Sequence, residues 1–300
     1  MANKQSSRSR RSSSSRQRGP RHVEAVLDPT WQNPYAPSAA ERQTHLDAAH
    51  RYARQRSMPV AYVAGALALV SLVGVALSWL FLVVALVLGV GAVLAVRRAS
   101  RRFEERAQNL GTEVLAAFRT GGTVKDRQRL STVLDRLTAT FGVDPVGAFI
   151  IEDEGYNAAL VPYGDNYAFV VTSAMMRDFE LIELEGVVAH CLARQRLGIL
   201  ARESVSAIGN VSSSQRRAVA GTGLTYRADE VAAAAIRYPL GLAGALRRCA
   251  RQVPPASSFF ASSQYDKWRF IWFDVWSDRT TPDLDDLDDV ELRALALEEW

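Results

Sequence analysis

The longest apolar run in the chain extends from Pro59 to Val96, PVAYVAGALALVSLVGVALSWLFLVVALVLGVGAVLAV, without one charged residue. As a single helix it would measure about 57 Å at 1.5 Å per residue, nearly twice a hydrocarbon core of ~30 Å. Two spans that turn near Ser78–Trp79 fit far better, and the pattern predicts a transmembrane helical hairpin over 59–97. Arg51, Arg54 and Arg56 precede the run, and Arg97, Arg98, Arg101 and Arg102 follow it. Positive charge on both flanks places both chain termini in the cytoplasm and the protein in the cell membrane, as a two-span protein. Gly65, Gly74, Gly89 and Gly91 are expected to let the two helices approach closely.

Upstream, PSAAERQTHLDAAHRYARQRS predicts a short helix within a cytoplasmic segment, 23–58. Ser38 and Glu41 have capping-box spacing, and Pro37 precedes the cap. His45 and His50 lie five apart and read as surface residues. Downstream the pattern becomes that of a soluble α+β domain over 99–280. FEERAQNLGTEVLAAFRT and VKDRQRLSTVLDRLTATFG carry helical periodicity, and VGAFIIED, NAALVPYG and YAFVVTSAMM read as short strands of a small sheet. A helix over 180–196 ends at Gly198, a polar loop SSSQRRAVAGTGLTY follows, and Pro239 and Gly241 divide a second helical stretch. Tyr265, Trp268, Trp272 and Trp276 recur at the spacing of one helical stripe, which predicts core packing, with an interfacial membrane belt or a partner surface as the alternatives. The acidic run from Asp283 leads into VELRALALEEW, expected as a surface C-terminal helix within 281–300.

Charge alters the picture only at the ends. The net charge of +4 hides a tail, 1–22, that holds Lys4 and six arginines and no acid. Such a segment buries no apolar area and is expected to be disordered. A plain solvated tail is the first reading and attraction to an anionic membrane surface the second; nucleic-acid binding is a third, without interleaved aromatics for base stacking, and no nucleic-acid partner is expected. Phosphorylation of its serine cluster would cancel that attraction. Two cysteines, Cys191 and Cys249, make no disulfide framework. Everything after residue 100 contains one histidine, His190.

That histidine lies in LEGVVAHCLARQRLG, where His190, Cys191 and Arg194 stand at the metal-binding and general-base positions of a His-Glu-x-x-His helix. The hairpin, the NAA strand, VTSAMM, LEGVVAHCLAR and the later YRADEVAAAA occur in an order that resembles the HtpX-type membrane-anchored zinc endopeptidases, relatives of the CAAX prenyl proteases. The resemblance covers roughly 59–250 and implies a mainly helical zincin-like peptidase domain with a small sheet. Carried over by position, His190 matches the first zinc-binding His. Cys191 replaces the general-base Glu, Arg194 the second His and Thr225 the ligand Glu, while Ala228 and Asp229 match the AD that follows it.

Catalytic zinc needs about three lone-pair ligands and an open position for water. Arg194 offers no acceptor, Thr225 is a neutral hydroxyl, and Cys191 is a poor proton shuttle. No zinc or other cofactor is therefore expected and no catalytic residue is assigned. A His190–Cys191 nucleophile pair fails because adjacent helical residues point about 100° apart. The plain expectation is a buried imidazole satisfied by a hydrogen bond beside a small buried thiol. An ion pair of Arg194 with Asp229 or Glu230 is expected at the vacated metal position, since a buried cation needs a partner.

The function these residues imply is that of a membrane-anchored pseudopeptidase, a scaffold or regulator that binds a protein or peptide partner, with the YAFVVTSAMM strand edge as a docking place. An active peptidase with a rearranged site and a purely structural membrane subunit are the alternatives.

Overall fold

In the computed structural model, residues 35–73, 80–209, 212–221, 223–275 and 290–300 are described. The basic tail 1–22, Gly74, the turn near Ser78–Trp79, Trp276 and the acidic run up to 289 lie outside them. The architecture is α+β. The chain starts with two long helices, α1 (Ala39–Val73) and α2 (Leu80–Gln108), which pack along each other. α3 (Leu110–Ala116) and α4 (Val124–Phe141) lead to a sheet of β1 (Gly147–Ile151), β2 (Ala158–Tyr163) and β3 (Asn166–Thr172). Then come α5 (Ser173–Asp178), α6 (Leu181–Leu197), α7 (Ile199–Ile208), α8 (Ser213–Ala220), α9 (Leu224–Ile236), α10 (Pro239–Arg251), α11 (Tyr265–Trp268) and α12 (Val290–Glu298).

The stretch Leu82–Gln108 is long and apolar enough to cross a membrane, and α1 contains a shorter apolar stretch, Tyr62–Ser71. Large apolar side chains on both helices, among them Leu67, Leu86, Val90 and Leu94, are exposed. The expected close approach at Gly65, Gly89 and Gly91 does not occur: a methyl group at any of the three would meet open space. The short helix expected over 38–58 is instead the first part of α1, which continues through Pro59. Proline removes the helical donor for the carbonyl of Gln55, and that cost falls at an exposed position.

α1 also belongs to the folded body. Glu41 accepts two hydrogen bonds from Arg227 (2.9 and 3.3 Å), and His45 is buried beside Arg202 rather than on the surface. Desolvation, reinforced by the Arg202 charge, holds the His45 imidazole below its usual pKa. His50 stays exposed and meets Glu104 of α2 at 3.0 Å. At the other end α12 packs on α9 and α10. The body thus extends past both boundaries expected at 99 and 280.

The strand order is β1-β3-β2, with β1 parallel and β2 antiparallel to β3. β3 is therefore central, and the docking edge expected along YAFVVTSAMM is already paired on both sides. The outer edges are partly closed as well. Thr120 bridges to Ile151, and Gly121 donates to the Ile150 carbonyl at 2.8 Å. Trp272 bridges to Ala159, and Phe273 donates to the Ala158 carbonyl at 2.7 Å. One sheet face, with Leu160, Phe169 and Val171, packs in the core of α4, α6, α9 and α10. The other, with Val161, Ala168 and Val170, faces Leu110, Val205, Tyr265 and Trp272.

Three further expectations change. The polar loop after the 180–196 helix contains α8, capped by Ser212. Tyr265, Trp268 and Trp272 are buried as core residues but do not share one helix: α11 ends at Trp268, a 3-10 turn spans Arg269–Ile271, and Trp272 pairs with the sheet. The C-terminal helix is no surface element, because Val290, Arg293, Ala294 and Leu297 are buried.

Candidate functional site

The site residues converge on α6, which crosses the centre of the body. Glu183 starts it by accepting the Glu180 backbone N–H at 2.7 Å, and Gly198 ends it in the left-handed conformation at φ 79°. Gly186 lets α10 come close: a Cβ there would lie 2.7 Å from the Leu242 backbone. Buried between helices, α6 carries His190, Cys191 and Arg194 with hardly any exposure.

His190 Nδ1 lies 2.7 Å from Asp229 Oδ1 on α9. A carboxylate only accepts, so Nδ1 carries the proton and Nε2 keeps its lone pair. Nε2 has no hydrogen-bond partner among the described residues. Burial pushes the imidazole down to about pKa 4, against the pull of Asp229, so it is neutral near pH 7. The Phe273 ring stands edge-on to it at 5.2 Å. Burial also pushes the Cys191 thiol up to about 12, which removes it as a nucleophile.

Asp229 holds a second partner that the sequence reading missed. Arg293 of α12 grips it with two hydrogen bonds, Nε to Oδ2 at 2.7 Å and Nη2 to Oδ1 at 2.9 Å. The guanidinium also lies 5.5 Å over the Phe273 ring. Burial disfavours the Asp229 charge, yet Arg293 first and His190 second hold its carboxyl below the usual range. A signal for Arg293 was present in the sequence. Val290, Ala294 and Leu297 stand three before, one after and four after it, so it occupies the apolar face of its helix.

The expected pairing of Arg194 with Asp229 or Glu230 is not formed. Arg194 is buried, but its carboxylate is Glu203 of α7, with Nε–Oε1 at 3.0 Å and Nη2–Oε2 at 2.6 Å. Nη2 also donates to the Phe270 carbonyl at 2.8 Å. The reason is geometric: Gly198 turns the chain so that α7 follows directly, and Asp229 is already taken by Arg293. Glu230 lies on the outer side of α9, paired with Arg227 at 3.0 Å. Thr225, one turn before Asp229, is only partly buried. Around His190 the site thus brings together two buried ion pairs, Arg194 with Glu203 and Arg293 with Asp229, and a neutral imidazole.

Zinc does not fit this donor set. His190 Nε2 offers one lone pair, but its neighbours Arg194 and Arg293 only donate, and both oxygens of Asp229 are occupied. Among the described residues no three His, Cys, Asp or Glu side chains stand together as metal ligands. What the arrangement does chemically is clamp helices: α6 to α9 and α12 through Asp229, and α6 to α7 through Arg194. No protein-family model, curated protein or solved structure matches the chain.

Proposed function

We propose that this chain is a membrane-anchored, zincin-like pseudopeptidase: a body of the HtpX type that has lost its hydrolytic centre and serves as a scaffold or regulator by binding a protein partner. The observation that carries this reading is Arg194. It stands where the resemblance puts the second zinc-binding His, and it is buried and doubly bonded to Glu203. A cation fixed there repels a dication and contributes no ligand. The hydrogen bond from His190 to Asp229 supports the same history, since it is the kind that orients a metal-binding imidazole.

The anchor in this reading is a two-span hairpin with both termini cytoplasmic. Support comes from the apolar Leu82–Gln108 stretch, the packing of α1 along α2 and the exposed arginines at the bases of both. The partner is a protein or peptide; the chain offers nothing specific to nucleic acid.

The test is zinc content by elemental analysis of the full chain, purified without a His-tag, beside a variant with Cys191→Glu, Arg194→His, Thr225→Glu and Arg293→Ala. The natural chain should hold no stoichiometric zinc, and the fourfold variant should gain it. About one zinc per natural chain, with peptide hydrolysis, overturns the proposal.

A further inference from the structure

We propose that the groove along α9 and α10, with Asp229 at its floor, is a binding site for an arginine-bearing amphipathic helix, with α12 as its exchangeable resident. A partner segment of the same pattern would dock by displacing α12. The inference rests on the reading of the chain as a partner-binding protein and names the kind of partner.

The resident shows what the groove accepts. Arg293 reaches the floor and takes both oxygens of Asp229, while Val290, Ala294 and Leu297 fill the apolar walls. At the rim Arg247 holds Glu298 with two bonds of 2.6 and 2.7 Å. The recognised pattern is an apolar residue three positions before an arginine, a small residue directly after it, a leucine four after and an acid five after. Asp229 is nine-tenths buried or more and ionised, so the floor demands a cation, and its two oxygens match the planar fork of a guanidinium.

Three observations suit α12, although it packs in the core, to the role of an exchangeable ligand. It contacts α9 and α10 from one side, with Leu292 and Leu295 exposed on its other face. It is nine residues long, too short to hold helical form alone in water, so it folds as it docks. It is joined to the body through the fourteen residues 276–289. With α12 gone, Asp229 keeps the hydrogen bond from His190 Nδ1, so the floor carboxylate is not left without any partner.

The experiment uses the full chain in detergent micelles, with a protease site inserted within 276–289 and cleaved after folding. A fluorescein-labelled peptide of residues 288–300 is then titrated, monitored by anisotropy, while near-ultraviolet circular dichroism reports the state of the body. The natural peptide should exchange into the cleaved chain. The Arg293→Gln peptide should bind at least about 10-fold more weakly, and the uncleaved chain should bind the natural peptide at least about 10-fold more weakly, because its tethered helix competes at an effective concentration near millimolar. The proposal is overturned if the cleaved fragment never exchanges, if the body loses its dichroism when the fragment leaves, or if the Arg293→Gln peptide binds equally well. Zinc content of the same preparation reads the loss of catalysis separately: bound zinc with intact exchange would sink that reading and leave this one standing.

Discussion

Glu203→Gln is the sharpest single test of the buried electrostatics. The substitution keeps the shape of the side chain but leaves the Arg194 guanidinium, 1% exposed, without its carboxylate. Breaking a buried pair in this way costs about 3–5 kcal/mol, because the remaining charge stays desolvated. Arg194 keeps the Phe270 carbonyl at 2.8 Å, which favours the lower end, about 3 kcal/mol. A chain of this size loses about 2–4 °C of melting temperature per kcal/mol, so the expected drop is about 6–12 °C. The double variant Arg194→Met, Glu203→Leu removes both charges and should melt within about 4 °C of the natural chain, since apolar replacements of a buried pair are nearly neutral. Tryptophan fluorescence during thermal unfolding in detergent is a suitable readout, because the pair lies against the Trp272 backbone. A Glu203→Gln loss below about 2 °C, or a double variant that falls as far as the two single variants added together, would refute the account.

Further outcomes follow from the same interior. Below pH 6.5 the unfolded imidazole of His190 takes a proton that the folded one refuses until about pH 4, so stability is fully present above 6.5 and falls as pH drops to about 4. The loss is roughly 3 kcal/mol, with His45 adding in the same sense, and His190→Gln should flatten most of that slope in denaturant titrations at stepped pH. Gly186→Ala puts a methyl group 2.7 Å from the Leu242 backbone, which cannot yield like a flexible side chain. It should destabilise by about 1–3 kcal/mol despite the better helix propensity. Gly89→Ala, where a methyl group meets open space, should change the melting temperature by less than about 2 °C, and equal effects at the two glycines would contradict the close crossing of α6 and α10.

Local signals in the sequence carried much of the fold. Pro239 opens α10 after a break at Arg237–Tyr238, while Gly241 lies inside that helix rather than at the break; Gly198 ends α6, and the three apolar runs hold the three strands, except that SAMM at the end of the third forms the start of α5. The order of those strands was not legible. The pairing of β1 with β3 skips a strand, and nothing in VGAFIIED says which neighbour it takes. At the site, the inward direction of Asp229 and the burial of His190 were readable from the motif. The partners were not: Glu203 lies on α7, a helix without a distinctive pattern, and Arg293 lies 64 residues beyond Asp229. Periodicity marks which face a residue is on, but a charge on an apolar face finds its counter-charge only through tertiary packing. The basic N-terminal half of α1 looked like a surface helix because its few inward positions, His45, Ala49 and Ala53, are spread among arginines.

α1 leaves the body and enters its apolar stretch as one unbroken helix, and α2 returns in the same way. In the membrane-anchored reading proposed above, the body therefore stands on two stiff legs rather than hanging from a flexible tether. From His50 to Pro59 is about 14 Å of helical rise, so the body's height above the bilayer, and its bearing, are set by the legs. A bilayer that tilts the hairpin tilts everything mounted on it. In that same reading the groove under α12 is held at a constant height, and a membrane-bound partner would reach it only by presenting its own helix at that level.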